Sequence, residues 1–582
     1  MSYPKLKSEN YQNLQGMNTK SSKYTTAESE FLNLQNVDFQ TFGSLSTTPG
    51  YTQYMLSGIT GPITGISEYS QSAVNPFLNQ VATTNYAAFN ITGHTFQKTY
   101  DSLFVGNTIF PIAFGTFSMF DFVRGSSVLY GANGLDFFSA FSIGPSYLQY
   151  SLPYPWQGST TTGTMGSTGG ISGSLELDFA FIRSDGLIGP FIGNTYPNLS
   201  GYTGFRVDVP VMPPNLGITY SNFGISGVVA WYSLNGSSPK RLSPSLLLVP
   251  GSMLIINDQF SSFIINEPPE DIFGSYYMGM TYLDAGTAFF PFPPLGPVNP
   301  STLEAYNSQL FMSGFVNNPS TVWYSNIGEF EKRDPENFFL VGDDDGDIVS
   351  NLISYFTQLI IFKVNSTWML SGQDLANFSL VQATDQYGCL SNNSACVFEQ
   401  KLWFLDRKGI CEFNGANTRI VSNKIEPIFR RINISAARIT AAMSHVKSRN
   451  QVWCDFPIDG SNYNNMRAVY DYLADAWTTV PIDQTTCLTK ESKSYTLSLP
   501  FFGNYSGMIY QYGQSLTLNN GVGPTHVIQT RFIHDMGHSV EKQFRRLYVD
   551  ALIPSGSTQT WVANFYTNQG STAAMSMTLD LS

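Results

Sequence analysis

Charge is scarce in this sequence, and positive charge scarcest. Charged residues make up 12% of 582, and 30 Lys+Arg face 42 Asp+Glu, a net charge of −12; ordinary soluble chains carry about twice that charged share. This balance argues against a protein that grips nucleic acid, which needs Lys and Arg to neutralise phosphates. It permits a conduit, because an acidic lining repels a passing polyanion instead of holding it. Long apolar runs are missing too. Gly227–Leu234 stops at Asn235, and Leu246–Ile256 is interrupted by Pro250, Gly251 and Ser252, so neither reaches the roughly 18 residues of a membrane-spanning helix. Met1–Asn13 is polar and lysine-bearing, without the apolar stretch of a secretion signal; synthesis and assembly in a cytoplasm is the expectation. Cysteines number five (Cys389, Cys396, Cys411, Cys454 and Cys487), with no Cys-x-x-Cys. That spacing suits neither a zinc knuckle nor a dithiol redox motif and leaves reduced thiols packed as small hydrophobes.

Aromatic residues, by contrast, are plentiful, with 44 Phe and 32 Tyr in a chain that is 42% hydrophobic. So much core material excludes disorder. Where charge is depleted and Tyr, Phe and Met are abundant, part of the surface suits burial against neighbouring subunits. Residues 1–23 are polar and aperiodic and read as a flexible arm. Strand-length apolar runs then recur between Gly, Pro and Asn turns at Phe31–Phe39, Tyr51–Met55, Ile63–Tyr69 and Val81–Phe89. Between about 121 and 310 basic residues nearly vanish, and strand candidates continue at Leu175–Ile182, Phe205–Val211, Gly227–Leu234 and Leu246–Ile256. This block reads as an inserted β domain. Its Gly/Ser/Thr-rich stretch Gly158–Gly173 reads as an exposed loop, since no Gly-Lys-Ser/Thr follows to make a phosphate loop. Its Phe/Pro-rich stretch Phe289–Pro300 reads as a stiff connector.

After about residue 315 hairpins follow one another. Leu359–Val364 and Thr367–Leu370 flank a turn at Asn365–Ser366, and Lys401–Leu405 and Ile410–Phe413 flank Asp406-Arg407-Lys408-Gly409. Gln451–Phe456 and Arg467–Tyr472 form another pair, and Ala476-Trp477-Thr478-Thr479 follows. Successive hairpins of this kind are what propeller blades need. The expected fold is therefore all-β: a β-propeller over 24–120 and 311–550, a large inserted β domain over 121–310, and C-terminal strands over 551–582. One helix is expected over Ile425–Ala442, where Ile425, Ile428, Phe429, Ile432 and Ile439 recur at helical spacing and Pro427 suits a first turn.

These segments resemble a family. Val322-Trp323-Tyr324-Ser325, Gly342–Asp347, Leu359–Lys363 and Leu370-Ser371-Gly372 are similar to segments of the tail-nozzle (tail tubular protein B-like) β-propellers of short-tailed bacteriophages. So are Trp403–Ile410, Phe413-Asn414-Gly415, Ser422–Phe429, Arg449–Trp453, Val469–Tyr472 and Ala476-Trp477. Glu30–Phe39 with Pro49-Gly50-Tyr51 resembles the family's opening, and Lys542–Val549 its late strand returning to the propeller. The resemblance frames both ends and skips the middle. It implies a structural virion protein of the tail and not an enzyme: a homo-hexameric ring attached to a portal or adaptor ring, around a channel through which double-stranded DNA leaves. The insertion would then be a platform, gate or docking surface for fibres or other tail proteins. No residue-level role is carried over, so lumen and interface contacts stay unassigned and no cofactor is implied. The other class of expectation is a receptor- or glycan-binding propeller of the tail, which exposed aromatics in 268–300 would favour.

Asp343-Asp344-Asp345-Gly346-Asp347 fails the EF-hand pattern in both registers, because Ser354 stands at position 12 in one and Val341 at position 1 in the other. It reads as an acidic turn, with a different cation site as the alternative. His534 and His538 are four apart but lack the Glu of His-Glu-x-x-His, and His94, His445 and His526 are scattered. Gly170-Ile171-Ser172-Gly173 misses the spacing of a nucleophile elbow. Glu267, Glu270 and Asp271 could serve a glycosidase, whereas Glu399, Asp406 and Asp471 suit hairpin turns. Basic residues gather late, at Arg430, Arg431, Arg438, Lys447, Arg449, Lys542, Arg545 and Arg546, and read as solvated faces and ion pairs, or as contacts to an acidic ring or the end of a genome.

Overall fold

The structure, a computed structural model, describes residues 14–39, 44–55, the strands between 63 and 277, and, with short gaps, 300–488, 500–513, 519–531, 560–566 and 572–580. Among these residues, seven sheets built on four antiparallel strands succeed one another along the chain. Blade 1 is Ile63–Ser70, Thr84–Asn90, Thr95–Tyr100 and Leu103–Ile109; blade 2 is Asp121–Arg124, Val128–Ala132, Ser139–Ser142 and Leu148–Tyr150. Blade 3 is Thr302–Tyr306, Gln309–Ser313, Thr321–Tyr324 and Phe338–Leu340; blade 4 is Val349–Tyr355, Gln358–Lys363, Thr367–Ser371 and Ser379–Thr384. Blade 5 is Ala395–Phe398, Lys401–Asp406, Gly409–Phe413 and Thr418–Ile420; blade 6 is Ala442–Val446, Gln451–Phe456, Met466–Asp471 and Ala476–Pro481. Blade 7 takes Gln484–Leu488, Phe501–Asn504 and Ile509–Tyr512 from late in the chain and its fourth strand, Tyr51–Met55, from the beginning. The first strand of each blade touches the first strand of the next, and blade 7 touches blade 1. The sheets therefore close into a β-propeller.

Local sequence explains the blades. The turn between first and second strands needs left-handed backbone, supplied by Asn307 and Ser308 in blade 3, Phe356 in blade 4, Glu399 and Gln400 in blade 5 and Asn450 in blade 6; paired left-handed residues match the twist of a hairpin. Behind each turn comes Gln309-Leu310, Gln358-Leu359, Lys401-Leu402 or Gln451-Val452, and the apolar member of every pair is buried. Neighbouring blades are latched by the tyrosine that ends a first strand. Tyr306 donates its hydroxyl to Thr357 O at 2.6 Å, and Tyr355 donates to Gln400 O at 2.7 Å. Asp121 of blade 2 accepts from Thr302 Oγ1 (3.0 Å) and Leu303 N (2.9 Å) of blade 3.

The insertion leaves the ring at one junction, between Tyr150 and Thr302. It contains a five-stranded sheet, ordered Ile188–Tyr202, Ile171–Arg183, Ile225–Leu234, Lys240–Leu242 and Ile264–Ile265. A three-stranded sheet of Gly163–Met165, Gly204–Asp208 and Met253–Asn257 accompanies it. Phe179, Phe181 and Val228 are its buried centre, and Tyr276–Tyr277 pairs with Lys332–Arg333 in the last loop of blade 3.

Three sequence expectations shift. The 121–310 block begins too early, because 121–150 forms blade 2; it shares the low charge of the insertion but has short blade strands. Residues 14–23 are no free arm. Met17 is buried beside Leu34 and Trp477, with Met17 N donating to Trp477 O and Phe31 N to Gly16 O; only Gly fits at 16, where φ is +84° and a Cβ would lie 2.7 Å from Trp477 N. The helix expected over 425–442 is broken into Glu426–Phe429 and Ile434–Thr440. The first piece stops at Phe429 with Arg430 as its C-cap, and Asn433, in extended backbone, caps the second by accepting from Ala436 N.

Residues 532–582 form a second compact unit. Among its described residues the regular structure is a hairpin of Thr560–Phe565 and Met575–Asp580. Lys542–Val549 lies outside the described residues.

Candidate functional site at the closing seam

Blade 7 joins the two ends of the propeller, so what lies between blades 6 and 7 must hold the ring shut. Tyr51 pairs with Tyr512 and Thr52 with Gln511. Earlier in the chain Phe31–Gln35 adds to the outside of blade 6, parallel to Ala476–Pro481 through Gln35 and Thr479, and Val527–Thr530 adds antiparallel outside that. Residues 36–50 therefore bridge blade 6 to blade 7 and carry Asp38 into the seam.

Asp38 is buried and its carboxylate accepts from the Arg449 guanidinium, the Gln451 amide and Phe39 N. Gln451 turns its oxygen to Trp453 Nε1 at 2.9 Å. Deeper in the seam Arg467, 1% exposed, makes a fork to Asp455 (2.6 and 2.8 Å) and donates to Tyr512 Oη at 2.8 Å. Its guanidinium carbon lies 4.2 Å from the centroid of the Trp453 ring, a cation–aromatic contact. Tyr51 meets Phe502, Tyr510 and Tyr512 edge-on at 4.8–5.4 Å. A cleft of about 260 Å³ opens between these groups, lined by Asn36, Asp38, Tyr51, Arg449, Gln451, Trp453, Arg467, Asp483, Tyr512 and Asn519 among others.

Electrostatics fit a clasp. Burial draws the Arg449 guanidinium down, and the touching Asp38 carboxylate opposes that by favouring the charged form. Burial raises the Tyr51 phenol above its ordinary value, with Tyr512 and Asp483 adding to the rise, so it stays protonated. Burial also raises Asp471, whose carboxylate caps its own turn by accepting from Leu473 N and Ala474 N. Asp38 with Arg449 and Asp455 with Arg467 neutralise each other in pairs. What the arrangement does chemically is fix Arg467, through its blade-6 partner Asp455, so that it reaches Tyr512 of blade 7, while Arg449 holds the N-terminal segment at Asp38.

The residues singled out from sequence fall elsewhere. In the acidic turn, Asp345 receives the ammonium of the buried Lys363 at 2.6 Å, and that Nζ also donates to Val341 O and Gly342 O. Asp347 accepts from Asn365 N and Nδ2. The carboxylate of Asp345 thus already holds a cation, a lysine; Asp343 and Asp344 lie outside the described residues. Asp406 accepts from Lys408 N and Gly388 N, and Glu399 sits in a left-handed turn. Cys389, Cys411 and Cys454 are buried free thiols, Cys396 is half-buried, and burial pushes Cys389 up to about 11. Arg430 pairs with Glu426 and Arg431 with Asp459. His445 lies against Tyr472, and His526 Nδ1 is 2.6 Å from Asn36 O. His94, His534, His538, Glu267, Glu270, Asp271, Arg545 and Arg546 lie outside the described residues or side chains, as does almost all of 268–300. Among the described residues no three His, Cys, Asp or Glu side chains gather as a metal would require, and no helix is long and apolar enough to cross a membrane. Sequence reasoning missed the clasp, since charge is legible in a sequence but a partner about 410 residues away is not.

No family model matches the chain, and no curated protein does. Among solved structures it is similar to YCF48 bound to D1 peptide, with 10% identity and a TM-score of 0.24, over 63% of this chain and 98% of that one. The propeller is read from the ring of sheets, not from this likeness.

Proposed function

We propose that the chain is a structural subunit of a phage tail nozzle or hub, assembling with copies of itself into a ring that forms part of a DNA-ejection conduit. What supports this reading is the coincidence of order. The segments similar to the nozzle family lie on successive blades: Val322–Ser325 on blade 3, Leu359–Lys363 on blade 4, Trp403–Ile410 on blade 5 and Gln451–Trp453 on blade 6. The insertion leaves at a single junction and would carry the fibre-docking or adaptor-facing role, and an acidic chain would let DNA pass without gripping it. In this role the protein performs no catalysis. The test is cryo-EM of virions that contain the chain. A six-fold ring around the axial channel is expected; a peripheral trimer or an isolated copy would overturn the nozzle.

One observation favours receptor or glycan binding instead. Tyr463, 42% exposed, packs on Tyr505 with ring centroids 4.4 Å apart, in a loop braced by Asn433 Nδ2 to Ser461 O and carrying the exposed Arg431–Asp459 pair. An exposed ring beside fixed polar groups suits a sugar face. Saturation-transfer NMR with host polysaccharide fragments should show binding that Tyr463→Ala abolishes if this reading holds.

A further inference from the structure

The cleft at the closing seam has one charge left over. Four charged side chains line it: Asp38, Arg449, Arg467 and Asp483. Three are matched, Asp38 with Arg449, and Arg467 with Asp455. Asp483 has no counter-charge among the described residues, and its carboxylate accepts only from its own backbone N–H. It is exposed and so stands at the opening of the cleft, in the crossover between Pro481 of blade 6 and Gln484 of blade 7. Its charge adds to burial in raising the Tyr51 and Tyr510 phenols, which places the carboxylate beside the closing strand.

We infer that this cleft binds a small organic cation, an alkylguanidinium or alkylammonium group, with Asp483 as its counter-charge and Tyr51 among its walls. The lining selects that class. An anion would have to part Arg449 from Asp38 or Arg467 from Asp455 and leave a buried carboxylate alone. A neutral ligand would desolvate Asp483 without compensating its charge. A cation does neither, and Tyr51, Trp453 and Tyr512 supply aromatic rings, whose faces attract cations. The volume of about 260 Å³ falls under the roughly 300 Å³ at which drug-sized pockets begin, so the group is small. It is a free small molecule or the end of an arginine or lysine on another copy of the chain; the chemistry is the same. Tyr51 belongs to the closing strand and Asp483 to the crossover into blade 7, so the bound cation touches both segments that meet when the propeller closes, and binding favours the closed form by mass action. The inference goes beyond the nozzle reading and stands without it.

The experiment titrates the full chain with ethylguanidinium, ethylammonium and the neutral ethylurea, followed by ligand-observed NMR. The expected result is saturable binding of both cations, with ethylurea at least tenfold weaker. Asp483→Asn should weaken the cations at least tenfold with unchanged circular dichroism. Asp385→Asn, which removes an exposed carboxylate from the crossover between blades 4 and 5, should leave them unchanged. Cations that do not saturate, ethylurea that binds as well as they do, or an Asp483→Asn chain that binds like wild type overturns the proposal. The contrast between cation and urea is read on the wild-type chain, so it decides the matter even where the variant fails to fold. Once binding is seen, mass photometry with and without ethylguanidinium separates the sources. A multimer that the cation dissociates identifies the occupant as a side chain of a neighbouring copy, and an unchanged mass identifies a free small cation. A failed titration leaves the nozzle reading standing, because the ring in virions decides that one.

Discussion

Two seams of the propeller are built on opposite plans. Between blades 4 and 5 the contact is apolar: Phe362 against Phe404 at 4.7 Å, with Ile360, Leu402, Cys389, Cys411 and Phe413 around them. Between blades 6 and 7 the Arg467 guanidinium, paired with Asp455 inside blade 6, reaches across to Tyr512 Oη at 2.8 Å, and the Asp38–Arg449 pair ties the N-terminal segment to blade 6 beside a cleft. The chain itself holds blades 4 and 5 next to each other, so their seam is mostly apolar area, with the Tyr355 hydroxyl on Gln400 O as its latch. Blade 7 is assembled from strands about 450 residues apart. A seam there must choose one strand in one register, and a directional contact such as Arg467 to Tyr512 Oη chooses where apolar contact does not.

The comparison breaks most completely if the N-terminal segment is removed. A chain lacking residues 1–55 loses the fourth strand of blade 7, Asp38 and Met17 together, leaving an unpaired edge and an unpaired Arg449. We expect it to be insoluble or aggregated by size exclusion; a monodisperse product with wild-type circular dichroism would show the closing strand to be dispensable.

Point substitutions sharpen the contrast. Phe404→Ala should cost about 3–5 kcal/mol as a large-to-small change in a packed core. Arg467→Ala should cost about as much, roughly 3–5 kcal/mol, because it strands Asp455 without a counterion. The two part company on rescue. Asp455→Leu/Arg467→Met removes both charges and should bring the urea midpoint back close to wild type, as buried pairs replaced by apolar residues often do. It should also speed hydrogen exchange in Tyr51–Met55, since the seam keeps its area but loses the Arg467 contact to Tyr512, the register partner of Tyr51. A double variant with restored midpoint and wild-type exchange there would remove the case for the polar seam as a selector.

Legibility in the sequence follows the same division. The hairpins of blades 4 to 6 were readable because their strands adjoin and their turns carry Gly, Asn and Asp; Lys401–Leu405 and Ile410–Phe413 differ from the observed strands by a residue at an end. Blade 2 was hidden because composition, not strand length, drew the boundary at 121. The helix over 425–442 followed apolar spacing through Asn433, whose extended backbone breaks it. Asp455 and Arg467 stand opposite each other on adjacent strands of one hairpin, whereas Asp38 and Arg449 lie 411 residues apart and meet only when the N-terminal segment packs on blade 6, which nothing in the sequence marks.

A smaller effect tests how tightly the apolar seam is packed. Gly388 lies where a Cβ would come within 2.3 Å of Lys363 O and 2.5 Å of Val364 O. Gly388→Ala must push blade 4's turn away from blade 5, and should cost about 1–3 kcal/mol, read as a drop in urea midpoint. A neutral substitution would mean that even this seam yields.

The smallest effect concerns Asp406, a buried carboxylate at the edge of the apolar seam. Burial raises Asp406 above its ordinary value of 3.8, against the pull of the Lys408 and Gly388 N–H groups. A raised acid binds its proton more firmly folded than unfolded, so its contribution to stability is full below 3.8 and is lost as pH rises through the folded value. Asp406→Asn keeps one acceptor for the two N–H groups and should cost about 1–2 kcal/mol at neutral pH. The gap to wild type should widen as pH falls toward 4, because only the wild type gains there. Urea midpoints between pH 4 and 7 decide the matter. A gap that stays constant or widens toward neutral pH would mean that Asp406 is stabilised as a carboxylate by its two N–H donors, and that the apolar seam tolerates charge at its edge as readily as the closing seam does within it.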